Sequence, residues 1–194
     1  MRSAKKVRKT KETQIALKLS LDGRGRASIN TGIPFFDHML ELFTKHGNFD
    51  LQIKAQGDLA VDGHHTVEDI GLVLGETFRQ ALANKSGINR YGFFILPMDE
   101  ALAECALDIS GRPFLKFDAK FKKMKIGKFD AELIEEFWRA FVTQAGITAH
   151  IRLLSGANLH HQAEAIFKCM ARALRMAVAR DPLIKGIPST KGIL

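Results

Sequence analysis

The sequence is poor in the residues that build several common kinds of site. It has two cysteines, Cys105 and Cys169, each inside an apolar pattern. Two thiols cannot make a disulfide framework, and they read as buried free thiols of a reducing cytoplasm. A single tryptophan and a single tyrosine, with the phenylalanines mostly at core spacing, argue against a surface for stacking single-stranded bases. No apolar run approaches the ~20 residues of a membrane-spanning helix. The basic start (Arg2, Lys5, Lys6, Arg8, Lys9, Lys11) is not followed by the apolar core of a secretory signal. There is no Gly-x-x-x-x-Gly-Lys-Ser/Thr loop, no Gly-x-Gly-x-x-Gly turn and no Gly-x-Ser-x-Gly elbow, which speaks against nucleotide cofactors and a serine hydrolase.

Charge of one sign is in excess: the net charge is +8. A basic protein suits nucleic acid, an anionic surface or a phosphorylated small molecule. Much of the excess sits in the first eleven residues and in Lys116 to Lys128. With so little aromatic interleaving, both runs read as solvated strand edges or loops, and no nucleic-acid partner is expected. The chain is long enough, and apolar enough, to bury a real core.

What the sequence does have is a repeated histidine motif. His64-His65-Thr66-Val67-Glu68 is matched by His160-His161-Gln162-Ala163-Glu164, each at the start of a helical pattern. Positions four apart share one helix face, so His64 with Glu68, and His160 with Glu164, can each grip one metal ion. The second histidines, His65 and His161, point roughly 100° away and are free to serve another ion. The simplest closed arrangement is reciprocal. His65 joins the ion of His160 and Glu164, and His161 joins the ion of His64 and Glu68, within one chain or between neighbours. Two capped helices with polar first turns would explain one copy but not two. Nitrogen and oxygen ligands without thiolate suit manganese, iron, cobalt or zinc.

The order of elements repeats as well. Ile15 to Leu21, Arg26 to Asn30, a helix from Pro34 closed by Gly47, a strand at Leu51 to Ala55 and a helix from the first motif make one half. Ala101 to Ile109, Leu115 to Ala119, a helix capped by Asp130 and closed by Gly146, a strand at Ile147 to Leu153 and a helix from the second motif make the other. The expectation is an α+β fold from a duplicated strand-strand-helix-strand-helix unit, giving two four-stranded sheets with helices on one face of each. Residues 1–90 and 91–182 form the repeats, and 183–194 a turn-rich tail.

Registering the halves on their helix-ending glycines adds candidates. His38, beside Asp37, lies nine residues before Gly47, Glu136 lies ten before Gly146 on the corresponding helix, and each can complete a metal site. His150, on the polar side of its strand, competes with Glu136. Anion binders are Arg90, after the Gly87-Ile88-Asn89 turn, Arg112 in a Gly-Arg-Pro turn, and Ser189 with Lys191 in the tail. The planar fork of arginine suits phosphate oxygens, although each taken alone is also an ordinary surface arginine. Glu12 is either a strand-edge charge or a substrate contact.

At these residues the sequence resembles the imidazoleglycerol-phosphate dehydratase family. Five motifs carry the likeness: Gly-Ile-Pro-Phe-Phe-Asp-His-Met-Leu (32–40), Asp-Gly-His-His-Thr-Val-Glu-Asp (62–69), Leu-Asp-Ile-Ser-Gly-Arg-Pro (107–113), His-His-Gln-Ala-Glu-Ala-Ile-Phe-Lys (160–168) and Pro-Ser-Thr-Lys-Gly (188–192). The resemblance implies an enzyme of histidine biosynthesis with two Mn2+ per subunit. It would take water from imidazole glycerol phosphate through a metal-bound imidazolate, giving imidazole acetol phosphate. It implies a 24-subunit shell with active sites at subunit junctions. One ion would be held by His38, His65, His160 and Glu164, and the other by His64, Glu68 and His161 with Glu136 or His150. Glu12 or Glu68 would move the proton, and Arg90, Arg112, Ser189 and Lys191 would bind the phosphate. Two rival readings are a different binuclear metallohydrolase and a non-enzymatic basic binding protein.

Overall fold

The computed structural model describes residues 2–121 and 124–194. Lys122 and Lys123, in the middle of the second basic run, lie outside the described residues. The main sheet of each half contains one strand more than the apolar pattern suggests, and the second half adds a small two-stranded hairpin. The first runs β1 (Ser3–Lys9), β2 (Thr13–Ser20), β3 (Ala27–Asn30), α1 (Pro34–Gly47), β4 (Asp50–Gly57), α2 (His64–Leu82). The second runs β5 (Tyr91–Met98), β6 (Ala101–Asp108), β7 (Phe114–Asp118), a small β8–β9 hairpin (Lys125–Ile126, Phe129–Asp130), α3 (Leu133–Ala145), β10 (Thr148–Ser155), α4 (Leu159–Val178).

The two four-stranded sheets have matching orders, β1-β2-β4-β3 and β5-β6-β10-β7. The Asp22 to Gly25 turn does not make a hairpin. Strand β3 pairs in parallel with β4, which lies between it and β2, and β7 pairs in parallel with β10 in the same way. Alternation explains why one face of each sheet is buried: Ile15, Leu17 and Leu19 of β2 point inward while Gln14, Ala16 and Lys18 are exposed.

Those inner faces carry the helices. Helix α1 packs on α4, and α2 on α3, so the layers run sheet, helices, helices, sheet. Phe43, Phe78, Phe137, Trp138, Phe141 and Phe167 fill the space between the helix layers at 1 % exposure or less. Burying each such side chain contributes about 1.5–3 kcal/mol or more. Helix α2 crosses close to α3 because two glycines face it. A Cβ on Gly71 would lie 2.7 Å from the Phe137 carbonyl oxygen, and one on Gly75 2.4 Å from that of Phe141.

Chain direction then sets where the chemistry sits. Gly71 faces Phe137 and Gly75 faces Phe141, so α2 and α3 run the same way. His38 meets Glu164 near the starts of α1 and α4, so these also begin at one end. Gly63, just before α2, lies against Ile33 and Leu133, at the entries of α1 and α3. All four helix N-termini therefore gather at one end of the molecule. Helix α1 starts with Pro34 at its first turn and stops at Asn48 in the left-handed conformation. Asp130 does not cap α3. It belongs to β9 and pairs with Lys125, and α3 starts after Glu132 without a side-chain cap.

Candidate active site

Both histidine motifs begin their helices in the same way. The Asp62 side chain accepts the His64 amide at 2.8 Å, and Asn158 accepts the His160 amide at 2.9 Å. These side chains satisfy one of the free N–H groups of each first turn, leaving the imidazoles to project from the helix ends.

In the second motif three ligand groups converge. Glu164 Oε1 is 2.9 Å from His160 Nε2 and 3.3 Å from His38 Nε2. Among the described residues this is the only trio of histidine, cysteine and acidic side chains whose donor atoms lie within 4.8 Å of one another. Lys168, a turn further on, bonds to Glu164 Oε2, and Phe35 stands edge-on to His160 at 5.3 Å. Burial pushes the Glu164 carboxyl up, but the Lys168 ammonium and the His38 and His160 rings outweigh it and hold the group at about 2. The carboxylate is thus ionised, as a metal ligand must be.

The first motif is more open. His64 Nε2 and Glu68 Oε2 are 3.8 Å apart and both side chains are nearly half exposed. His65 turns the other way, with Nδ1 donating to Asp58 at 3.0 Å and Nε2 4.0 Å from Glu12. His161 donates from Nδ1 to Glu100 at 2.8 Å. The hydrogen bonds to Asp58 and Glu100 raise the two ring pKa values. Glu100, bonded to His161 and to the amides of Asn158 and Ala157, is lowered to about 2. Within one chain neither His65 nor His161 joins the trio. Glu136 is half-buried in the first turn of α3, at the end where the helices begin. His150 is exposed on the outer face of the second sheet, 5.8 Å from Phe114 and between inward-facing Ala149 and Ile151.

The anion candidates form a second group. Arg90 donates from Nε and Nη2 to Asp108 at 2.7 and 3.1 Å, and from Nη1 to the Pro188 carbonyl at 2.9 Å. Asp108 raises the Arg90 pKa further. Arg112 is largely exposed, 3.8 Å from Asp108. Ser189 accepts the Lys191 amide at 3.2 Å, so the tail residues are held beside Arg90. This group sits at the far end of α4, where the Arg90 amide donates to the Ala177 carbonyl at 3.0 Å.

Several residues of the site are not apparent from motif spacing. Asp58 and Glu100 lie in turns outside any periodic pattern, and only the fold brings them to the histidines. Lys168 was visible as the position one turn after Glu164. Lys85, buried in the linker between the halves, lies close to Gly111 in the turn of Arg112, and burial lowers its ammonium pKa.

A duplicated α+β scaffold that gathers two partly exposed histidines around one buried, charge-neutralised carboxylate at its helix entrances has the layout of an enzyme site. The sequence model described as imidazoleglycerol-phosphate dehydratase matches residues 31–174. The chain is 59 % identical to the imidazoleglycerol-phosphate dehydratase of Azorhizobium caulinodans, covering 100 % of this chain and 99 % of that one. It is 56 % identical to the Pelobacter propionicus protein of the same description, with the same coverage. The fold superposes on imidazoleglycerol-phosphate dehydratase from Staphylococcus aureus with a TM-score of 0.84 at 45 % identity, over 92 % of this chain and 99 % of that one. A Pyrococcus furiosus structure in complex with (S)-C348 gives 0.84 at 37 % identity, over 97 % of this chain and 100 % of that one. The chain belongs to the imidazoleglycerol-phosphate dehydratase family, and it is a lyase.

Proposed function

We propose that the protein removes water from imidazole glycerol phosphate to give imidazole acetol phosphate in histidine biosynthesis, and that it does so with two divalent metal ions per subunit, Mn2+ by preference. The observation that carries the metal is the His38, His160 and Glu164 trio. Two imidazole nitrogens and one ionised carboxylate, without thiolate, form a donor set for manganese, iron, cobalt or zinc. Lys168 neutralises Glu164 until a cation replaces it.

His38, His160 and Glu164, joined by His65 of the same or a neighbouring chain, would hold one ion. His64, Glu68 and His161 would hold the other, with Glu136 completing it more readily than His150, since Glu136 stands at the helix-entry end. A bound divalent cation supplies the Lewis acidity that favours the anionic form of a substrate imidazole. The remaining work is the protein's own. The hydroxyl that departs is on the carbon beside the ring, and the proton removed is on the next carbon; that proton is not acidic, so a carboxylate must stand within reach of it. Glu12, 55 % exposed at its side chain and 4.0 Å from His65, would take that proton, with Glu68 the alternative. The departing hydroxyl leaves as water after receiving a proton, and the enol left behind rearranges to the ketone. Arg90, Arg112, Ser189 and Lys191 bind the phosphate.

The histidine cluster and the anion group lie at opposite ends of α4, so a small substrate meets both only where two chains adjoin. That separation supports a homo-oligomer, and a 24-subunit shell is the assembly we propose. Among the described residues no helix is long and apolar enough to cross a membrane, and the buried free thiols suit the cytoplasm. Mass spectrometry of imidazole glycerol phosphate incubated with manganese-loaded protein tests the reading. Loss of one water is expected, and His160→Ala abolishes it. An unchanged substrate mass with fully loaded protein would overturn it.

A further inference from the structure

Glu12 and Glu100 hold the same place in the two halves. Each lies in the turn of its half's first hairpin, β1–β2 or β5–β6, against the start of the helix that carries the histidine pair. Their carboxylates do different things. Glu100 Oε2 accepts from His161 Nδ1 at 2.8 Å, while its Oε1 accepts the amides of Ala157 at 3.1 Å and Asn158 at 2.7 Å. Glu12 makes no such bond to His65, and its nearest approach is 4.0 Å to Nε2 on the other edge of the ring. The Nδ1 edge of His65 is taken by Asp58 at 3.0 Å.

Asp58 is the first residue after β4. The residue in the same place after β10 is Gly156, which no aspartate can replace. Gly156 has φ +141°, and a Cβ there would lie 2.8 Å from Gln162 and 3.1 Å from Ala101. The second half therefore fixes its histidine from the hairpin, and the first fixes it from the strand end. The Glu12 hairpin is itself pinned to α2, because Asp69 accepts from Thr13 Oγ1 and, at 3.1 Å, from Arg8 Nε. Glu12 is thus held at the site without being spent on a ring.

Resting on the metal reading above, we propose that Asp58 and Glu100 are the positioning residues of the two metal sites, and that Asp58, by taking the Nδ1 of His65, leaves Glu12 free for proton transfer. An ionised carboxylate only accepts hydrogen bonds. Each ring must then carry its proton on Nδ1 and present a bare Nε2 outward, the form that binds a cation. Outer carboxylates of this kind typically hold about 10–100-fold of a site's metal affinity.

The test is a titration of metal-free protein with Mn2+, followed by electron paramagnetic resonance of the free ion, alongside steady-state kinetics. Asp58→Asn and Glu100→Gln should each weaken binding of one ion by about 10–100-fold, and Asp58→Glu should restore part of the loss. Glu12→Gln should bind Mn2+ as the wild type does while its kcat falls at saturating metal. Equal weakening in Glu12→Gln, or wild-type affinity in both positioning variants, would overturn the inference. A wild type that binds no Mn2+ would instead sink the metal reading itself. Should a variant fail to fold by circular dichroism, nitrogen-15 chemical shifts of the wild-type imidazoles decide the matter. His65 and His161 are expected as Nδ1–H tautomers, and Nε2–H tautomers would refute the proposal.

Discussion

His160 Nε2 lies 2.9 Å from Glu164 Oε1, one turn along α4, whereas His64 and Glu68, at the same spacing on α2, stand 3.8 Å apart. The difference comes from what surrounds each carboxylate. Glu164 is buried and drawn in by His38 and Lys168, while Glu68 is 45 % exposed. A preorganised set of ligands binds with less ordering cost. Glu164→Gln should therefore lower both metal affinity and turnover by more than the about 100-fold at the upper end for an outer partner, and Glu68→Gln should cost less in metal affinity. Parallel calorimetric titrations of the two variants with Mn2+ check the order.

Glu164 also links stability to acid. Its folded value of about 2 lies below the ordinary 4.5. A lowered value contributes stability that is complete above the ordinary value and is lost as pH falls from about 4.5 to about 2. Lys168→Met removes the leading cause of that lowering and leaves a buried carboxylate without its cation. The metal-free variant should melt lower than wild type at neutral pH, and the gap should close towards pH 2. Melting curves against pH that stay parallel across this window would contradict the assignment.

Much of this was legible in the sequence because burial writes a period into it. The paired histidines, the left-handed Gly146 that ends α3 and the inward faces of α2 and α4 all followed from spacing, whereas α1 runs through Gly47 and ends at Asn48. Strand β1 did not, because Lys5, Lys6, Arg8 and Lys9 leave it no apolar face to recognise, with Ala4 and Lys6 only partly buried. Strand β5 hid for the opposite reason. Tyr91, Phe93 and Ile95 are its exposed residues, so its apolar pattern marks the outer face of the sheet. The place of β4 between β2 and β3 is a matter of topology, which local pattern does not encode. Asp58 and Glu100 gain their partners only through that topology.

The close crossing of α2 and α3 gives a prediction whose sign separates two effects. In an isolated helix, Gly75→Ala would stabilise by about 1 kcal/mol. Here the new Cβ would meet the Phe141 carbonyl oxygen at 2.4 Å and the Ala145 amide nitrogen at 3.0 Å. Backbone contacts do not yield as a flexible side chain does, and overpacking costs about 1–3 kcal/mol. Thermal melting should fall by several degrees, at about 2–4 °C per kcal/mol for a domain of this size. A raised melting temperature would show that helix propensity wins.

Arg112 and Arg90 should separate by their kinetics. Arg112 is 71 % exposed at its side chain and free to meet an incoming phosphate, so Arg112→Ala should raise KM by about tenfold or more, the loss of one charge-assisted hydrogen bond worth about 1.5–3 kcal/mol. Arg90 is engaged by Asp108 and by the Pro188 carbonyl. Arg90→Lys keeps the charge but loses the fork that spans both, so the tail that carries Ser189 and Lys191 should loosen. Faster proteolysis of the C-terminal segment in Arg90→Lys, but not in Arg112→Ala, is the expected signature.

The length of α4 bears on assembly. From His160 at its start to Ala177, which accepts the Arg90 amide, the helix rises roughly 25 Å at about 1.5 Å per residue. No small phosphorylated imidazole bridges that distance, so on the proposed function the anion-binding group of one chain would serve the histidine cluster of another. His65 and His161 face away from the trio within their own chain, and ions shared across the junction would bind the chains together. Chelation should then dissociate the assembly into smaller oligomers, and added Mn2+ should restore it. Light scattering before and after EDTA measures this directly. An unchanged mass would mean that each chain closes its metal sites alone, and the reciprocal arrangement of the two histidine pairs would have to be given up.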